Sequence, residues 1–133
     1  MGKIITPESL AANDTEDGHQ LALFCWIALN KDKYPQLKHL FHIPNGGSRS
    51  KSEGARFKAM GVKAGVPDLF LPVPIGQWRG LFIELKKSKG GVLSSEQREW
   101  IAYLQSVGYG AIICHGWEAA RDTLIAYLEW KNV

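Results

Sequence analysis

Pro67-Asp68-Leu69-Phe70-Leu71 and, after a turn-rich interval, Leu81-Phe82-Ile83-Glu84-Leu85-Lys86 decide how this chain folds. Each is a short apolar run carrying a carboxylate: Asp68 opens the first, after the turn-like Ala64-Gly65-Val66-Pro67, and Leu81-Phe82-Ile83 leads into Glu84 in the second. Runs of this length and composition, bounded by Gly and Pro, read as strands. The stretch around Pro74-Ile75-Gly76-Gln77-Trp78 reads as the loop of a hairpin. An antiparallel hairpin sets the start of its first strand opposite the end of its second, so Asp68 and Glu84 are expected to meet. Side chains alternate along a strand, which sends Glu84 and Lys86 to one face and Leu85 to the other.

Two carboxylates and an ammonium group at the ends of adjacent strands point to a specific chemistry. A divalent cation can be held beside a phosphodiester while a bound water is activated. Mg²⁺ (or Mn²⁺) is the expected cofactor, because a hard cation takes oxygen ligands and keeps several waters. Asp68, Glu84 and the backbone carbonyl of Leu85 then suffice on the protein side, with Lys86 facing the phosphate or the attacking water.

Outward from the hairpin, the pattern is mixed α/β. Thr15 caps a helix expected from Glu16 to about Lys31, with Glu16 and Gln20 on one face and the apolar belt Leu21 to Leu29 buried on much of its circumference. A short strand is expected around His39 to Ile43, and a basic helix around Ser52 to Met60 closed by Gly61. Ser94-Ser95-Glu96-Gln97 fits a capping box, which gives Gln97 a structural role. That helix packs through Trp100, Tyr103, Leu104 and Val107, ends at Gly108, and is followed by a strand over Tyr109 to Cys114. A last helix covers Glu118 to Trp130, with Ala120, Leu124, Tyr127 and Leu128 as its apolar face.

The chain has 133 residues, 45% of them hydrophobic, so one domain over residues 1–133 with a sizeable core is expected. The apolar run Leu21 to Leu29 is too short to span a bilayer and the N-terminus lacks a signal-peptide organisation, which predicts no membrane association and a cytoplasmic location. Cys25 and Cys114 both read as small buried hydrophobes, and the four histidines show no zinc-type spacing.

Charge is distributed unevenly. Residues 49–98 hold ten basic and four acidic residues, a net charge of +6, whereas the remainder carries −3. The positive segment contains the carboxylate pair and favours a polyanion. Lys51, Arg56, Lys63, Lys87 and Lys89 are expected to contact nucleic acid, together with Asn45, Gly46, Gly47 and Arg49 in the stretch His42-Ile43-Pro44-Asn45-Gly46-Gly47-Ser48-Arg49-Ser50, whose small residues let backbone N–H groups approach a phosphate. The stretch lacks the Gly-x4-Gly-Lys-Ser/Thr spacing of a P-loop, so no nucleotide cofactor is expected.

These residues resemble the PD-(D/E)XK nuclease signature, and the fuller context resembles its VRR-NUC group, the virus-type replication-repair nucleases. The matching stretches are Glu16-Asp17-Gly18-His19-Gln20, Gly65-Val66-Pro67-Asp68, Phe82-Ile83-Glu84-Leu85-Lys86 and Leu93-Ser94-Ser95-Glu96-Gln97-Arg98-Glu99-Trp100, in family order within residues 16–130. The resemblance implies a restriction-endonuclease-like core, a central mixed sheet flanked by helices. It implies Asp68 and Glu84 as metal-binding carboxylates, Leu85 as the carbonyl donor, Lys86 as the catalytic lysine, Glu16 as the acidic residue completing the metal site and Gln97 as the glutamine of the following helix. Asp17 adjoins Glu16, and either carboxylate could reach the metal.

A small domain with no base-reading appendage suits shape recognition better than recognition of a long sequence. Compact members of the family resemble Holliday junction resolvases, which implies a homodimer acting on branched DNA such as four-way junctions and an intracellular or viral setting. The alternatives are a nuclease component of a larger replication, repair or restriction assembly, and a nucleic-acid-binding module without activity.

Overall fold

The computed structural model describes residues 4–44 and 50–131. A short helix α1 (Pro7–Leu10) precedes α2 (Glu16–Leu29); a 3-10 helix (Pro35–His39) leads into strand β1 (Phe41–His42). Helix α3 (Lys51–Ala59), strands β2 (Leu69–Leu71) and β3 (Leu81–Lys86), helix α4 (Ser95–Ser106), strand β4 (Gly110–His115) and helix α5 (Trp117–Leu128) follow. The four strands form one mixed sheet in the order β1-β2-β3-β4. β1–β2 and β2–β3 are antiparallel, and β3–β4 is parallel. The parallel pair requires a long crossover, which α4 supplies.

Alternation along β3 builds both faces of the sheet. Leu81, Ile83 and Leu85 enter a core with Ala22, Leu23 and Ile27 of α2 and Trp117, Ala120 and Leu124 of α5. Phe82 faces the other side, where Ile101 and Leu104 of α4 close over Ala111 and Ile113. Phe70 and Phe82 are cross-strand partners and stack with centroids 4.2 Å apart, holding the β2–β3 register in which Leu69 lies opposite Ile83. Glu84 and Lys86 share the face of Phe82 but lie beyond the aromatic cluster, where the sheet meets the first turn of α4. The expected α/β architecture is what the chain forms, including the hairpin.

Several boundaries differ from the sequence reading. Proline at the first position of the 3-10 helix starts a tight turn over Pro35–His39, leaving β1 only two residues instead of a strand from His39. α2 stops at Leu29, where Asn30 donates its side-chain amide to the Trp26 carbonyl. α1, which the pattern did not announce, is opened by a capping box between Thr6 and Ser9. On α4, Ile101 and Leu104 are the buried positions, while Tyr103 and Val107 are exposed. α5 starts one residue before Glu118, because the buried Trp117 takes its first position. Cys114 is buried and Cys25 only partly so; both are free thiols. Among the described residues no helix is long and apolar enough to cross a membrane.

Candidate active site

The loop before β2 and the cap of α4 bring the site together. Gly65 has φ +88°, and a Cβ there would lie 2.5 Å from the backbone of Glu96 in the first turn of α4. Only glycine permits this approach. It allows α4 to begin directly beside Pro67-Asp68, and Ser94 then caps the helix by accepting from the Gln97 N–H at 3.1 Å.

Gln97 performs both of the functions open to it in the sequence. Its carbonyl oxygen accepts from the Ser94 N–H at 2.9 Å, completing the capping box, while its amide nitrogen donates to Glu84 Oε1 at 3.0 Å. The two ends of one amide thus join the helix start to the strand carboxylate.

Asp68 is fixed from the opposite side. Its Oδ2 accepts from the backbone N–H of Leu85 at 2.8 Å. In a strand the N–H and C=O of one residue point to the same edge, so the Leu85 carbonyl also faces the Asp68 side. Continuing the β2–β3 register places Pro67 opposite Leu85. Proline has no N–H to donate, so the ladder gives the Leu85 carbonyl no partner there. On the other edge, the Lys86 carbonyl accepts from the Gly116 N–H at 2.8 Å.

Glu84 is 2% exposed, and its Oε2 has no hydrogen-bond partner among the described residues. Burial, followed by the negative charge and proximity of Asp68, pushes its carboxyl up to about 8 from an ordinary 4.5, with Lys86 opposing the shift and Glu16 adding to it. The Lys86 ammonium, also buried, lies 3.6 Å from Glu16 Oε1 and 3.9 Å from Glu84 Oε1. A buried, unpaired carboxylate oxygen beside a second carboxylate calls for a proton or a cation. The oxygen donors of Asp68, Glu84 and Leu85 fit a hard divalent ion, although no group of three or more His, Cys, Asp or Glu side chains is clustered as a metal site among the described residues.

A polar cleft of about 370 Å³ is lined by Glu16, Asp17, Gln20, His42, Asp68, Glu84, Leu85, Lys86 and Gln97, with Pro44 at its margin. Every residue expected at the catalytic or metal centre therefore lines one cavity. Both Glu16 and Asp17 reach it, and Glu16 is the one paired with Lys86. Lys51, Arg56, Lys63, Lys87 and Lys89 are all exposed and lie outside the lining. Asn45, Gly46, Gly47 and Arg49 fall outside the described residues.

Sequence reasoning missed His42, whose Nδ1 lies 3.0 Å from the Asp68 carbonyl. A carbonyl only accepts, so Nδ1 carries the proton. The register that opposes His42 to Leu69 would have signalled it, but a two-residue strand carries no pattern from which a register can be read.

The fold has known relatives. Residues 5–118 match the VRR-NUC domain model. A solved structure described as a VRR_NUC domain protein is similar over 86% of this chain and 88% of its own, with 32% identity and a TM-score of 0.74. No curated protein matches the chain.

Proposed function

The chain belongs to the VRR-NUC family, and from that premise we propose that it is a divalent-metal-dependent DNA endonuclease acting on branched DNA, four-way junctions in particular. Membership implies a nuclease of the PD-(D/E)XK type. The observation that carries the metal dependence is Glu84: a buried carboxylate, set beside Asp68, with one oxygen that meets no donor among the described residues.

Asp68, Glu84 and the Leu85 carbonyl would hold Mg²⁺ or Mn²⁺, with Glu16 or Asp17 at the margin. Such an ion lowers the pKa of a bound water and offsets charge on the scissile phosphate. The remaining work falls to the chain itself. Gln97 holds one Glu84 oxygen and leaves the other for a ligand. The Leu85 N–H orients Asp68 in the same way. Lys86, buried between Glu16 and Glu84, presents a positive charge to the phosphate and orients the attacking water. Its near-complete burial keeps that charge from being screened.

Substrate binding rests on the exposed basic residues. Lys51 and Arg56 stand on α3, none of whose residues is buried, and α3 lies in the chain between Pro44 and Asp68 at the cleft. Lys87 and Lys89 follow the catalytic strand. A single domain has little basic surface, so two copies related by a twofold would present a larger positive face and two cleavage centres to a junction.

Cleavage of four-way junction, flap, single-stranded and linear duplex DNA, with Mg²⁺, Mn²⁺ or EDTA, tests the proposal. Metal-dependent cutting that favours the junction supports it. Cutting without preference for the junction overturns the substrate assignment, and the absence of cutting on every substrate overturns the activity.

A further inference from the structure

Asp14 and His19 tie together three segments that are distant in sequence. Asp14 sits at φ +50°, a left-handed conformation that few non-glycine residues adopt. The turn aims its carboxylate at the segment after β3, where Oδ1 accepts from the Ser88 N–H at 2.7 Å and Oδ2 from the Lys89 N–H at 3.3 Å. The same Oδ1 lies 2.7 Å from Nε2 of His19. His19 is 3% exposed, and its Nδ1 accepts from the backbone N–H of Trp117 at the start of α5, at 3.0 Å. In the neutral ring the proton therefore resides on Nε2, facing Asp14.

Ser88 Oγ, 3.3 Å from the same Nε2, completes a Ser, His and Asp cluster, but not one that can activate a nucleophile. A relay needs the serine and the aspartate on opposite ring nitrogens. Here both meet Nε2, and Nδ1 is occupied by a backbone N–H. The network holds; it does not react.

What it holds is the catalytic cleft. Glu16 lies between Asp14 and His19 in the chain, in the first turn of α2, and Lys86 lies two residues before Ser88. Gly116, immediately before Trp117, donates to the Lys86 carbonyl. The 3.6 Å pair of Glu16 and Lys86 thus spans the two elements that the network joins. The Glu16 side chain is 54% exposed, and an exposed ion pair has little strength to fix its own geometry. We infer that Asp14 and His19 are positioning residues, a clip that sets the acidic first turn of α2 against the end of β3 so that Glu16 and Lys86 act on one cleft. The inference rests on the cleft being the catalytic site proposed above.

Glutamine can reproduce both hydrogen bonds of His19, accepting from Trp117 and donating to Asp14, but cannot relay a proton. His19→Gln, His19→Leu and Asp14→Ala are therefore compared for kcat and apparent metal affinity in Mn²⁺-dependent DNA cleavage, and for NMR amide exchange at Ser88, Lys89 and Trp117. His19→Leu and Asp14→Ala should lose about tenfold to a hundredfold in kcat at saturating Mn²⁺, the scale of an ångström-sized misplacement. Exchange at the amides each one frees should accelerate. His19→Gln should stay within about threefold of the wild type, since both bonds that hold the clip are retained. A His19→Gln variant as slow as His19→Leu with its amides still protected overturns the clip in favour of proton transfer, and wild-type kcat in Asp14→Ala also overturns it. A readout without activity separates this inference from the functional one. Glu16→Gln should shift the Lys86 Cε resonance in the wild type but not in Asp14→Ala. Persistence of that shift in Asp14→Ala refutes the clip, whereas a wild-type chain that cleaves no DNA refutes only the proposed function.

Discussion

Glu84→Gln should make the metal-free protein more stable at alkaline pH while abolishing cleavage. The folded-state carboxyl titrates near 8, against an ordinary value of 4.5. Between those values the folded chain keeps a proton that the unfolded chain has lost, so this group's contribution is complete below about pH 4.5 and is lost as pH rises through 8. At about 1.4 kcal/mol per pH unit, the ceiling on that loss is about 5 kcal/mol. Glutamine has the same shape and no charge to desolvate. Its carbonyl can keep the Gln97 bond, and its amide can donate towards Asp68 from the position where Oε2 has no partner among the described residues. The pull of Lys86 is already contained in the shift of the Glu84 carboxyl, and relaxation and water entry around the buried charge reduce the net gain to about 1–3 kcal/mol at pH 8.5. The gain should vanish near pH 5, where the wild-type carboxyl is protonated. Urea denaturation of both proteins in EDTA at pH 5 and pH 8.5 measures this, and their difference at each pH cancels the other titrating groups. Mg²⁺ should stabilise the wild type more at pH 8.5 than at pH 6, because the ion competes with the proton. A Glu84→Gln protein less stable than the wild type at pH 8.5, or a difference independent of pH, refutes the reasoning.

Gln97→Glu should preserve the acceptor for the Ser94 N–H, and so change stability by less than about 1 kcal/mol, while replacing the donor to Glu84 with a third negative group and lowering kcat; Gln97→Ala should lose both. Denaturation and cleavage assays on the two variants distinguish the ends of the amide. Gly65→Ala should destabilise the fold by at least about 2 kcal/mol, because φ +88° and contact with Glu96 both oppose a Cβ; chemical denaturation checks it. Pro67→Ala supplies an N–H that can occupy the Leu85 carbonyl, and should weaken Mn²⁺ affinity measured by calorimetry with little change in kcat at saturating metal.

The centre of the site was legible because it rests on local rules. Asp68 and Glu84 converge through a hairpin whose strands and loop are both written in composition, and Thr15 and Ser94 mark helix starts through their own hydroxyls. Gln97 was ambiguous for a physical reason: its two ends serve two partners, one three residues away and one thirteen. The clip at Asp14 and His19 was not legible. Its bonds between segments join residues 69 to 98 positions apart, which no local pattern in the sequence specifies. His42 was hidden likewise, because its place beside Asp68 depends on the pairing of a two-residue strand. The strand expected from His39 failed where Pro35 imposed a local turn that β propensity could not override.

Cleavage of a labelled four-way junction by the wild type, Asp68→Ala, Glu84→Ala and Lys86→Ala, with calorimetric Mn²⁺ binding on the same samples, tests the central claim most directly. The wild type should cut with Mg²⁺ and stop with EDTA. The two carboxylate variants should lose both metal and cleavage while still binding DNA, since each removes a ligand and a negative charge, and Lys86→Ala should bind metal and lose rate. Near-normal Mg²⁺-dependent turnover in both Asp68→Ala and Glu84→Ala contradicts the account.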